Sequence, residues 1–197
     1  GLNHPDFIVF DLDPYIYSGL ETSAYQEPEY NRKAFMKTVE VAQLLKSEIF
    51  DKLNIKSYIK TSGKTGIHIF VPVSADYNYD QARSFAEIIG RTLVSEHPHK
   101  ITMDWNTSKR RGKIFFDHNQ NAKGKTLASV FSARPTERAT ISMPLKWDVL
   151  NQILPTDFTI LNVPDKISEK RDIRNSLLSW SNILESRQDL AKMLETI

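Results

Sequence analysis

Phe7-Ile8-Val9-Phe10-Asp11-Leu12-Asp13-Pro14 sets five apolar residues around two carboxylates and closes on a proline. Phe7 to Leu12 suits a buried strand, and Pro14, which has no N–H to give to a ladder, is expected to end it. Residues two apart on a strand share a face, so Asp11 and Asp13 would lie side by side with Leu12 turned the other way. Carboxylates that close repel each other unless a proton or a cation stands between them. A hard divalent cation such as Mg²⁺ or Mn²⁺, which prefers oxygen ligands, is the simplest relief. The competing arrangement is a turn in which the aspartates cap backbone N–H groups.

Working outward, the 197 residues make one domain or a compact pair, with 40% apolar and 25% charged residues. There is no cysteine, which excludes disulfides and thiolate metal sites and fits a reducing compartment. No apolar run approaches the roughly 20 residues of a membrane span. The opening Gly-Leu-Asn-His-Pro-Asp is not a signal peptide and leads straight into the strand, as if cut from a longer chain. Net charge is +2, but Lys100 to Arg138 holds nine Lys/Arg against three acids, so this segment carries +6 and the rest −4. Such a local basic patch points to a polyanionic ligand at one site, or else to a solvated charged face.

After a polar, tyrosine-rich loop, Phe35, Val39, Ala42, Leu45, Ile49 and Leu53 recur at helical spacing. They predict an amphipathic helix over 32–51, packed on the first strand. Ile55–Thr61 and Ile67–Val73 read as a hairpin. Between them lies Thr61-Ser62-Gly63-Lys64-Thr65-Gly66, a loop able to present N–H groups and an ammonium to phosphates, or a plain turn. It is not a Walker A motif. His68, Phe70 and Pro72 share one face of the second strand. A second helix is expected over 79–98, with Asp80 as N-cap and a stripe of Ala82, Phe85, Ile88, Ile89, Thr92 and Leu93. His97 and His99 lack a third ligand nearby. Ile114-Phe115-Phe116-Asp117 is another apolar strand with a carboxylate at its exit, followed by a polar turn over 119–125. Strands at 126–131 and 139–143, a short helix at 147–154, an extended stretch at 158–163 and a closing helix at 174–197 complete the expectation. The order β-α-β-β-α-β indicates an α+β fold, an antiparallel sheet with helices on one face.

Three stretches stand together: Phe10-Asp11-Leu12-Asp13-Pro14, Lys60-Thr61-Ser62-Gly63-Lys64-Thr65-Gly66-Ile67-His68, and Lys113-Ile114-Phe115-Phe116-Asp117 with Gln120-Asn121. In this order and spacing the chain resembles the polymerase domain of bacterial ATP-dependent DNA ligase D, of the archaeo-eukaryotic primase superfamily. The resemblance implies an RRM-like, primase-type antiparallel sheet core with helices packed on it and a C-terminal helix. It further implies that Asp11, Asp13 and Asp117 bind two catalytic divalent metal ions, Mn²⁺ or Mg²⁺. Ser62, His68 and Arg134 would hold the triphosphate of an incoming nucleotide, with Lys64, Thr65 and Gln120 beside it. A basic residue before the third aspartate matches Arg110 or Arg111. Lys109, Lys113, Lys123 and Lys125 are the expected DNA contacts. The loop departs from the family's usual Ser-Gly-Ser-Lys-Gly, since Lys64 stands one place early. The family's N-terminal region is not present before Asp11, so residues 1–197 are expected to be a single catalytic core, a piece of a longer family domain.

The activity so implied is nucleotidyl transfer of ribo- or deoxyribonucleotides onto a DNA primer 3′ end, in non-homologous end joining and repair. Expected partners are primer–template or broken DNA ends, nucleoside triphosphates, Ku and a DNA ligase domain, with no membrane. The expected place is the bacterial cytoplasm, at the nucleoid. Two alternatives compete. One is a nucleotide- or DNA-binding module with impaired catalysis. The other is a haloacid-dehalogenase-like phosphatase, whose pattern also begins Phe-Asp-x-Asp but continues Gly-Thr where this chain has Pro14-Tyr15.

Overall fold

A computed structural model of the chain describes residues 2–15, 31–169 and 171–194. The tyrosine-rich loop and the last residues of the expected closing helix lie outside them. The strands are β1 (Phe7–Tyr15), β2 (Tyr58–Thr61), β3 (Ile67–Pro72), β4 (Ile101–Thr102), β5 (Lys113–Asp117) and β6 (Pro144–Leu145). They form one six-stranded sheet in the order β4-β5-β1-β3-β2-β6. All pairings are antiparallel except β4 with β5. The fold class is α+β, as expected.

The first strand sits in the middle because its two faces do different work. Ile8, Phe10 and Leu12 are fully buried, as are Ile67, Ile69 and Val71 of β3 and Ile114 and Phe116 of β5. This apolar face lies beneath α1 (Arg32–Leu44) and α2 (Tyr79–Glu96). Phe10 meets Phe50 and Phe116 edge-on, at 5.2 and 5.8 Å between ring centres. At Gly90 a Cβ would stand 2.7 Å from the Phe116 ring, so α2 needs a glycine there to lie this close.

The opposite face is divided. At one end, after α3 (Val163–Glu169), Trp180 on α4 (Arg171–Ser181) covers Tyr58 and Phe70 edge-on. At the other end the sheet is open, and there Asp11, Asp13, His68 and Asp117 emerge. The C-terminal helix therefore packs on the side the sequence reading left bare. The chain then continues through a 3₁₀ turn, Ile183–Ser186, into α5 (Leu190–Leu194), so the closing helix is two pieces around a break.

Other differences are local. Pro14 does not end β1: past Leu12 the strand pairs only with β5, and an imino acid is tolerated where one side has no partner. After α1 the helix widens into a π turn, Leu45–Phe50. The extra residue shifts the apolar phase, so Phe50 is buried while Ile49 and Leu53 are half-buried. The second helix is capped by Asn78, in a reciprocal capping box with Gln81, not by Asp80. Its inner stripe is Ala82, Phe85, Ala86, Ile89, Gly90 and Leu93, and Ile88 and Thr92 face outward. Residues 126–131 and 139–143 make no strand; isolated bridges join Ala133 to Ile141 and Thr140 to Thr159. The helix at 147–154 is a 3₁₀ turn, Trp147–Gln152. Among the described residues, no helix is long and apolar enough to cross a membrane.

Candidate active site

The register of the sheet assembles the site. Asp117 on β5 is the direct partner of Asp11 on β1, Asp11 of His68 on β3, and His68 of Lys60 on β2. Directly paired residues point to the same face, so one row crosses four strands as Asp117–Asp11–His68–Lys60. Asp13 stands one row further on, opposite Phe115. All four members of the row are buried.

Little neutralises the acids. Asp11 Oδ1 is buried with no hydrogen-bond partner, and His68 Nε2 stands 3.5 Å from it. Asp117 accepts from Asn119 N at 2.9 Å and from Gln120 Nε2 at 3.2 Å. Burial, then the neighbouring Asp13 and Asp117, hold the Asp11 carboxyl well above the usual carboxylate range, against the pull of Lys60 and Arg134. Burial and Asp117 push Asp13 up to about 6, against Arg110 and Arg134. Burial, Lys60 and Arg134 hold the His68 imidazole well below its ordinary value. The orphaned oxygen and the mutually repelling carboxylates are the donor set that Mg²⁺ or Mn²⁺ favours. Among the described residues, no three such side chains converge as a ready-made cage. Both oxygens of Asp117 are turned to its own loop, and the Asp13 carboxylate leans on Gly66.

The loop over 61–66 is held in place from both sides. Ser62 Oγ accepts from Lys64 N at 3.1 Å and Gly66 N at 3.0 Å, so two of the amides expected to serve a phosphate organise the loop. The Ser62 hydroxyl hydrogen stays available to an acceptor outside. Gly63 has φ +78°, and a Cβ there would stand 2.6 Å from Arg134 Cγ. A Cβ on Gly66 would collide with the Asp13 carboxylate and stand 2.6 Å from Leu12 O. Segment 140–143 clamps the other side: Thr61 N donates to Met143 O at 2.9 Å, Met143 N to Thr61 Oγ1 at 2.9 Å, and Thr140 Oγ1 to Gly63 O. That clamp brings Arg134 to the site, its own N–H donating to Thr140 O at 2.7 Å.

A cavity of about 540 Å³ opens over these groups. Of the residues singled out from sequence, Asp11, Asp13, Ser62, Lys64, Thr65, His68, Arg110, Asp117, Gln120 and Arg134 all line it. Of the two arginines, Arg110 is the one beside the cavity. It lies 3.5 Å over the Phe115 ring and donates to Asp104 O at 2.7 Å and Trp105 O at 3.0 Å. Arg111 is exposed and does not line the cavity. Lys109, Lys113, Lys123 and Lys125 lie outside it too; Lys109 pairs with Asp104 at 2.9 Å and Lys123 donates to Asn3 Oδ1 at 2.8 Å. Trp105, at the cavity's edge, and Lys60, at the end of the row, were not anticipated. The signal for Lys60 was a charged residue in an apolar strand, two places before Ser62 and on the same side as His68. The turn that follows β5 adds Asn121. Its side chain accepts from Val9 N and donates to Val9 O, both at 2.8 Å, continuing the β5 ladder where the strand has ended.

A family model described as LigD, primase-polymerase domain, matches residues 1–174. The chain is 32% identical over 168 residues to the bifunctional non-homologous end joining protein LigD of Bacillus subtilis, covering 84% of this chain and 25% of that protein. It is 25% identical over 169 residues to the multifunctional LigD of Pseudomonas aeruginosa, covering 85% of this chain and 18% of that one. It thus spans about a quarter or less of these relatives. In fold it is similar to the polymerase domain of Mycobacterium tuberculosis ligase D, solved in complex with DNA. The TM-score is 0.70 at 22% identity, over 89% of this chain and 56% of that one.

Proposed function

This chain belongs to the LigD primase-polymerase domain family, and on that footing we propose that it is a nucleotidyltransferase that extends a DNA 3′ end. One observation supports this above the rest: Asp117, Asp11 and His68 of the cross-strand row, with Asp13 beside them, open into the same cavity as Ser62, Lys64 and Arg134. Three carboxylates lie next to cationic and hydroxyl groups suited to a triphosphate.

Asp11, Asp13 and Asp117 would hold two divalent ions, Mn²⁺ or Mg²⁺. When bound, these supply activation of the attacking 3′-hydroxyl and neutralisation of the leaving pyrophosphate. The chain's own groups do the positioning. The Ser62 hydroxyl donates to a phosphate oxygen while its lone pairs hold the loop. Lys64 and Arg134 balance triphosphate charge by charge-assisted hydrogen bonds. Gln120 keeps the Asp117 carboxylate oriented. Arg110, pinned on Phe115, keeps a fixed positive charge near Asp13. The relatives are named for non-homologous end joining, and the substrates here are broken or gapped DNA ends, with Ku and a ligase domain as partners and Lys109, Lys113, Lys123 and Lys125 as outlying DNA contacts. The family match disfavours the phosphatase alternative.

The test is primer extension on a gapped duplex with Mn²⁺ and labelled nucleoside triphosphates. The protein adds nucleotides, while Asp11→Ala and Asp117→Ala abolish addition and keep a native circular dichroism spectrum. Full activity in the double variant would end the metal-ligand assignment. Tight nucleotide binding with no addition at any Mn²⁺ concentration would identify a binding module instead.

A further inference from the structure

Lys60 ends the cross-strand row with no catalytic task. It is fully buried, and its nitrogen meets Ser142 Oγ at 2.5 Å, His68 Nδ1 at 2.8 Å and Thr61 O at 3.5 Å. None of these carries a negative charge. Its stem lies against Phe70, with the nitrogen 5.7 Å from the ring centre. Ser142 Oγ gives its own hydrogen to Thr61 O at 2.7 Å, so toward Lys60 it accepts. Lys60 is thus a donor in this cluster, and a further N–H is left for His68 Nδ1.

That contact fixes the ring. His68 is buried. An imidazole whose Nδ1 accepts a hydrogen bond carries its proton on Nε2. Nε2 is the atom on the Asp11 side of the ring, 3.5 Å from Asp11 Oδ1. We propose that Lys60 is a positioning residue that holds His68 in the Nε2–H tautomer, so that the ring presents a donor to an anionic oxygen in the cavity. A ring so held has no lone pair on Nε2 to offer a cation, so it stays out of the coordination of any ion on Asp11. The tautomer does not depend on the nucleotidyl-transfer reading. That reading only identifies the anion as a triphosphate.

Nitrogen-15 NMR of the histidine side chains in the native chain, without nucleotide, reads the tautomer directly, with His68→Gln identifying the resonances. The expected result is Nε2 protonated and Nδ1 bare. In Lys60→Met a population protonated on Nδ1 appears and Mg·ATP binding, by calorimetry, weakens about tenfold. The melting temperature does not fall, because replacing a buried charge by an apolar side chain of similar length is often neutral or stabilising. In a His68→Gln background the amide nitrogen stands in for Nε2–H with no tautomer to set, so Lys60→Met then costs less than about twofold. A native His68 protonated on Nδ1 overturns the proposal. So does a Lys60→Met protein with an unchanged tautomer, or the same tenfold loss in the His68→Gln background. If native His68 is the Nε2–H form yet Mg·ATP does not bind, the tautomer stands and the nucleotide reading falls.

Discussion

Asp11 has one oxygen with no hydrogen bond, two acids for neighbours and no water-facing surface to speak of. At the scale of residues, this is a site whose charges work against the metal-free protein. Asp13 shows the sign. Its native pKa is raised to about 6 from 3.8, so between these values the folded chain holds a proton that the unfolded chain has released. Stability from this group is present below about pH 4 and is lost as pH rises through about 6. Melting curves in chelator should therefore show Asp13→Asn gaining stability relative to the native chain as pH is raised from 4 to 7. The two proteins should converge at pH 4, and a constant difference would contradict the assigned shift. Gly66 carries a second prediction. With Leu12 O and the Asp13 carboxylate where a Cβ would go, Gly66→Ala should cost about 1–3 kcal/mol in denaturant unfolding. It should also displace the loop enough to weaken nucleotide binding; an Ala variant with native affinity would show that the close approach is unimportant.

At the scale of elements, what was legible in the sequence is what depends on period alone. Asp11 and Asp13 two apart on a strand, the stripe that begins α1, and the hairpin around Ser62 follow from local spacing. The same reasoning failed where a neighbour sets the phase. The π turn moved Phe50 inward. The expected strand over 139–143 does not form, because its backbone N–H groups are divided among Thr136, Phe158, Ser132 and Thr61 instead of running along one partner strand. Lys60 carried a local signal, a charge on the strand before Ser62, but its place in the site lies in a register, Lys60 opposite His68 opposite Asp11, that reaches β1 outside that stretch. Asn121 is the element-scale prediction. It replaces a strand's ladder bonds to Val9 with one amide. Asn121→Ala leaves both Val9 groups without that partner and should destabilise by about 1–3 kcal/mol. Addition activity should fall alongside, because the turn that carries Gln120 to Asp117 loses its anchor. An unchanged unfolding midpoint would show that the amide is replaceable.

At the scale of the whole molecule, one sheet separates structure from chemistry. α1 and α2 bury the apolar face, Trp180 on α4 seals one end of the other, and the acids emerge only where that face is open. Because the site is built from four neighbouring strands of one sheet, its occupation should be felt by the entire fold. Mn²⁺ at about 100 times its dissociation constant should raise native stability by roughly 2.7 kcal/mol. The rise should be much smaller in an Asp11→Asn/Asp117→Asn protein. The most direct measurement remains single-nucleotide addition to the 3′ end in a gapped duplex, with Mn²⁺ present. The native chain is expected to add a nucleotide and release pyrophosphate, and Asp117→Ala to do neither. Equal addition by Asp117→Ala, or none by a native chain that demonstrably binds Mn²⁺ and nucleotide, would contradict the assignment of the three strand-borne acids as the seat of phosphoryl transfer.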